Sequence, residues 1–111
     1  MSPRSLGEFE QMVLLAVLQL GDQAFAVSVL RELDARAGRK VSRGTLYKTL
    51  ERMESKGLLT WAEEETIPER GGHPRRRFVV SERGIAVLQT SREALMRLWD
   101  GLEGVLGEAK P

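Results

Sequence analysis

The chain has no cysteine in its 111 residues, which excludes disulfides and thiolate metal sites. Its one histidine, His73, cannot build a histidine-rich metal site alone. There is no Ser/His/Asp or Cys/His set, no glycine-rich phosphate loop and no metal-ligand cluster; Gly71-Gly72 is too short a signal to count. Neither enzymatic activity nor a cofactor is therefore expected. The apolar run from Met12 to Leu20 is too short to cross a bilayer. Glu8 and Glu10 stand where a signal peptide would carry positive charge, so a cytoplasmic protein is expected. Aromatic residues are scarce, at 5%, while hydrophobic residues make up 41%, as in an ordinary soluble helical protein.

Net charge is also nearly lacking, at +1, but its distribution is uneven. Residues 36–56 carry 7 basic and 2 acidic side chains, and residues 70–83 carry 5 basic and 1 acidic. Between them, residues 57–69 have 4 acidic and no basic side chains, including Glu63-Glu64-Glu65. Two basic blocks separated by an acidic patch point to a localised anionic partner, which the overall charge conceals.

The stretch that organises the chain is Ser42 to Gly57. Ser42 suits a helix N-cap, because its hydroxyl can accept from an unpaired backbone N–H. Gly57 suits the left-handed residue that closes a helix, and Lys56 complements the dipole there. Leu46, Leu50 and Met53, with Thr49 beside them, form an inward stripe. Gly44, Lys48, Glu51 and Ser55 face outward, flanked by Tyr47 and Arg52. Such a face fits a DNA-reading helix or a plain solvated surface.

Two helices precede it. Ser5-Leu6-Gly7-Glu8 reads as a capping box. The helix behind it, with Phe9, Met12, Val13, Leu15, Ala16, Val17, Leu18 and Leu20, is apolar on more than one face and expected to be largely buried. Gly21-Asp22-Gln23 stops it. A second helix is expected from about Ala26 to Ala37, with Val27, Leu30 and Leu33 inward and Gly38 at its end. Three helices joined by short turns make a helix-turn-helix arrangement.

After Gly57 the period changes. Leu58 to Glu65 and Arg75 to Val80 read as two strands of a hairpin. The loop from Thr66 to Pro74, with Pro68, Gly71, Gly72 and Pro74, is long for a hairpin and should project. The fold expected is mainly α with a small β-hairpin: a winged helix, with Glu69 to Pro74 as the wing tip. Ser81 then caps a last helix expected to run to about Gly107. Leu88, Leu95 and Leu102 are seven apart, as are Ser91, Leu98 and Val105 at the complementary offset, a heptad pattern with one polar defect. About 24 residues would span roughly 36 Å, more than the preceding body can cover. Residues 1–83 therefore read as the winged-helix domain and 84–111 as a dimerisation helix.

Three stretches together resemble the PadR family of bacterial transcriptional regulators. They are Ser42-Arg43-Gly44-Thr45-Leu46-Tyr47, Leu50-Glu51-Arg52-Met53-Glu54-Ser55-Lys56-Gly57-Leu58, and the run from Arg75 to Gly84. The likeness covers roughly residues 6 to 90, and the tail is similar to that of compact members with a single C-terminal helix. It implies a winged-helix DNA-binding domain, a homodimer, and a repressor released by a small apolar or aromatic effector. Lys48 stands where many members have Pro, and Phe78 and Ser81 where Tyr and Thr are more usual.

The candidate DNA-binding residues are Ser42, Arg43, Gly44, Thr45, Tyr47, Lys48 and Arg52 from the helix, and Arg70, His73, Arg75 and Arg76 from the wing. Arg43 and Lys48 are the candidates for base contact. Tyr47 suits both phosphate contact and packing on the second helix. Arg52 suits equally a salt bridge to Glu51, Glu54 or Asp34. Strand alternation separates Arg76 and Phe78 from Arg75, Arg77 and Val79, leaving open which arginines face DNA. Candidate dimer residues are Leu88, Leu95, Leu98, Trp99, Leu102, Val105 and Leu106; Trp99 with Leu95 is also a candidate effector site. The competing function is a winged-helix protein–protein interaction module without DNA readout. The basic blocks favour double-stranded DNA.

Overall fold

A computed structural model describes residues 6–64 and 75–107. Helices α1 (Glu8–Leu20), α2 (Ala26–Ala37) and α3 (Arg43–Ser55) are followed by strands β1 (Leu59–Glu63) and β2 (Arg76–Val80). Helix α4 (Glu82–Trp99) and one turn, α5 (Glu103–Leu106), complete it. The fold is the expected winged helix. The strands pair antiparallel, with Leu59 opposite Val80 and Trp61 opposite Phe78. The wing loop, with Arg70 and His73, lies outside the described residues, as does Ser5.

The core forms where the apolar stripes of the helices meet one face of the hairpin. Val13, Leu14 and Val17 of α1, Val29 and Leu33 of α2, and Leu46, Leu50 and Met53 of α3 are buried with Leu58, Leu59, Phe78 and Val80. Thr49 is buried beside the α3 stripe, as its position predicts. The small body binds its edge by backbone pairing as well. The Phe78 N–H donates to the Ala24 carbonyl at 2.8 Å, and Phe25 bridges Arg77. The segment between α1 and α2 thus lies along β2.

Several local expectations are corrected. Gly7 holds the α1 cap position expected for Ser5, and its N–H donates to the Glu10 carboxylate at 3.1 Å. α1 is not buried all round, since Leu15 is 50% exposed and Leu18 is exposed too; the two-helix layer covers only the Val13–Leu14–Val17 side. On α2, Val27 is exposed and Val29 takes the inward position. Leu58 precedes β1 rather than starting it, because its N–H closes α3 by donating to the Met53 carbonyl at 2.9 Å. Together with the Gly57 N–H to Glu54 carbonyl bond this is a Schellman closure, with Gly57 at φ 76°. β2 begins one residue later than expected, at Arg76.

The last helix is also shorter than its heptads suggest. It ends at Trp99, and Gly101 turns the chain at φ 85°, a conformation open to glycine at little cost. Leu88, expected at a dimer surface, is instead 8% exposed and belongs to the core with Val87 and Gly84. Beyond it α4 leaves the body, and the molecule measures 55 × 29 × 22 Å.

The start of α4 is fixed by a close approach. The Ser81 hydroxyl accepts from the Gly84 N–H at 3.0 Å and donates to the Gly57 carbonyl at 2.7 Å, while the Ser81 N–H donates to the Leu58 carbonyl. A Cβ on Gly84 would overlap the Leu58 carbonyl oxygen and lie 2.7 Å from Val80 Cγ1. Backbone cannot move aside as a side chain can, so Gly84→Ala should behave as a severe overpacking change, costing about 1–3 kcal/mol. Thermal unfolding followed by circular dichroism should show a midpoint lowered by roughly 5–15 °C; an unchanged midpoint would contradict the close packing.

Candidate nucleic-acid interface

The exposed end of α3 is built as its sequence dictates. The Ser42 hydroxyl accepts from the Thr45 N–H at 3.1 Å and donates to the Thr45 hydroxyl at 3.0 Å. Ser42 and Thr45 are thus engaged with each other as the cap, and Arg43, Gly44 and Lys48 stand exposed around them. Tyr47 packs partly against the core and also borders a groove. The groove, about 730 Å³, lies between α2, α3 and the base of the wing. Phe25, Ser28, Arg31, Arg43, Tyr47, Glu51, Arg75 and Arg76 line it.

The wing-base arginines are seated on aromatic rings. The Arg75 guanidinium lies over Phe25 at 3.6 Å from the ring centre, and Arg76 lies over Trp61 at 4.2 Å. Stacking leaves the guanidinium edges free for an anion while holding the planes still. Arg75 Nε is shut off from solvent and has no hydrogen-bond partner among the described residues, a costly condition for a charged donor. Arg77 turns the other way and binds Glu64 at 2.9 Å. The expected grouping of Arg75 with Arg77 is not what the structure shows: Arg75 precedes β2 and lines the groove with Arg76, while Arg77 neutralises part of the acidic patch.

Arg52 is not in the groove lining. Its Nε bonds Glu10 of α1 at 3.1 Å, and Lys56 bonds the same carboxylate oxygen at 3.2 Å. Its partner is neither Glu51, Glu54 nor Asp34, since helix packing brings α1 across the end of α3. Arg31 and Ser28 on α2 and Phe25 before it are groove residues that the sequence reading missed. An arginine one helix away from the basic block gives no signal in a linear charge count, and a single phenylalanine before a helix gives none either.

The family model for the PadR-like transcriptional regulators matches residues 14–90. The chain belongs to the PadR-like family. Its members are DNA-binding regulators, not enzymes. The structure of this PadR-like protein is similar to a PadR family regulator from Eggerthella lenta at 27% identity, covering 92% of this chain and 88% of that one, with a TM-score of 0.65. A PadR-like transcription factor from Bacteroides fragilis aligns at 23% identity over 87% and 88% of the two chains, with a TM-score of 0.69. A PadR family regulator from Clostridium difficile aligns at 19% identity over 89% and 99%, with a TM-score of 0.68. Comparison with curated proteins gave no match. Among the described residues no helix is long and apolar enough to cross a membrane, and no acidic or histidine cluster could hold a metal.

The Glu10 carboxylate joins α1 to the α3 end. Burial pushes its pKa up, but the Gly7 N–H, Lys56 and Arg52 outweigh that and hold it below the ordinary 4.5. A lowered folded-state pKa contributes stability above the unfolded value, and that contribution is lost as pH falls through the folded value. Urea unfolding should therefore show stability declining below about pH 4.5. Glu10→Gln should lower stability at pH 7 and shrink its decline on acidification; a variant as acid-sensitive as the parent would rule out Glu10 as a contributor.

Proposed function

We propose that this PadR-like regulator is a dimeric transcriptional repressor that docks the outward face of α3 in the DNA major groove and sets the wing base on the backbone. The groove carries this reading: four arginines, from α2, α3 and the base of the wing, converge on it beside the exposed start of α3. A helix fits the major groove, where Arg43 and Lys48 would meet base edges. Gly44 allows close backbone approach there, and Thr45 and Ser42 lie beside the phosphates. Arg31, Arg75, Arg76 and the Tyr47 hydroxyl would contact phosphate, which fixes register without reading sequence. An interaction module would have no use for this convergence of cations.

Dimerisation is assigned to the far half of α4 and to α5. Leu95, Leu98, Trp99, Leu102, Val105 and Leu106 are exposed, Leu98 at 73% and Val105 at 80%, apolar side chains on both sides of the Gly101 turn that a monomer would leave in water. Pairing two such helices brings two Trp99 rings near a common axis, with Leu95 one turn away. A flat apolar or aromatic effector would stack there and release DNA by favouring an arrangement of the wings that does not fit it.

Three experiments test these assignments. Light scattering should give about twice the 12.4 kDa chain mass. Planar dyes should quench tryptophan fluorescence in this dimer, and also in Trp61→Phe. Quenching should vanish in Trp99→Ala and in the monomer produced by Leu95→Glu with Leu102→Glu, which buries charge in the interface. A monomeric parent at micromolar concentration, or quenching that survives Trp99→Ala, would refute the corresponding assignment. In DNA titrations, Lys48→Ala or Arg43→Ala should reduce the preference for operator over random duplex by about tenfold, the scale of one good base contact. Arg75→Ala with Arg76→Ala should weaken both alike and flatten the salt dependence by about 2 in log–log slope per subunit. Loss of preference in the wing variant alone would reverse the two roles.

A further inference from the structure

Among the cations of the groove stands one carboxylate, Glu51, on the outward side of α3 one turn beyond Tyr47 and Lys48. It shares the groove lining with Arg31, Arg43, Arg75 and Arg76. The ion pairs among the described residues nevertheless engage Glu8, Glu10, Glu32 and Glu64, and Glu51 is in none of them. It makes no side-chain hydrogen bond there either. It is exposed and contributes nothing to the core. A negative charge beside these arginines would repel any duplex that does not offer it a donor.

We propose that Glu51 reads a cytosine by accepting a hydrogen bond from its N4 amino group in the major groove. The inference rests on the docking of α3 described above. An ionised carboxylate only accepts hydrogen bonds. Guanine presents N7 and O6, and thymine O4, all acceptors that would oppose it. Adenine and cytosine present amino donors, but the adenine amino group lies beside the N7 acceptor. Cytosine presents its amino group without such a neighbour and is the base that a carboxylate fits. Discrimination then comes from two sides, a gained contact at the right base and an unrelieved repulsion at the others.

The test is selection of bound duplexes from a randomised library by the full-length protein and by its Glu51→Gln and Glu51→Ala variants. The parent should enrich cytosine at one position in each half-site, by about tenfold over other bases. Glu51→Gln should move that same position to adenine, because a carboxamide both accepts from N6 and donates to N7. Glu51→Ala should lose preference at that position alone while binding random duplex more tightly than the parent. Identical base choices by all three proteins would overturn the role of Glu51 and leave the docking of α3 standing. Failure of the parent to enrich any sequence would overturn both.

Discussion

The backbone of one residue, Leu58, holds α3, the hairpin and α4 together. Its N–H closes α3 on Met53, its carbonyl accepts from Ser81 at the head of α4, and its side chain is buried in the core. The Ser81 hydroxyl adds a bond to the preceding carbonyl of Gly57. Three elements therefore share a joint of a few ångströms, and Gly84 is the residue small enough to let α4 reach it. Backbone hydrogen bonds buried in this way are costly to leave unmade. The relative directions of α3, β2 and α4 are correspondingly tightly specified.

A second link crosses the opposite side of α3. Glu10 fastens α1 to Arg52 and Lys56, so the C-terminal half of α3 is held by an ion cluster while its N-terminal half is capped and exposed. Among the described residues, Arg36, Arg39, Arg52, Lys56 and Arg77 are matched by carboxylates within the chain. Arg31, Arg43, Arg75 and Arg76 converge on one groove, where the proposed DNA partner would supply the negative charge.

Much of this was legible in the sequence because it is local. The Ser42 cap, the Leu46–Leu50–Met53 stripe, the Gly57 stop and the change of period after it are read from spacing and backbone preference. What escaped depends on contacts distant in sequence. Leu88 follows the same heptad as Leu95 and Leu102, yet the body reaches it and leaves the other two exposed. Arg52 takes its partner from 42 residues away, beyond any helix-spacing rule. Arg31 enters the groove only because α2 crosses α3. The overlong last helix is a propensity error: apolar periodicity continues through Gly101, but the backbone turns there.

The stacking of Arg75 on Phe25 and of Arg76 on Trp61 bears on the thermodynamics of any anion that lands between α2 and the wing. A free arginine has about 2 kcal/mol of rotamer entropy to lose when immobilised. Here part of that freedom is surrendered when the chain folds, with the rings as the template. The guanidinium planes therefore meet a ligand already oriented, and less of the contact energy is absorbed in arresting them. Phe25 and Trp61 would in this way act on affinity from beneath the surface, as the floor on which the charges are set.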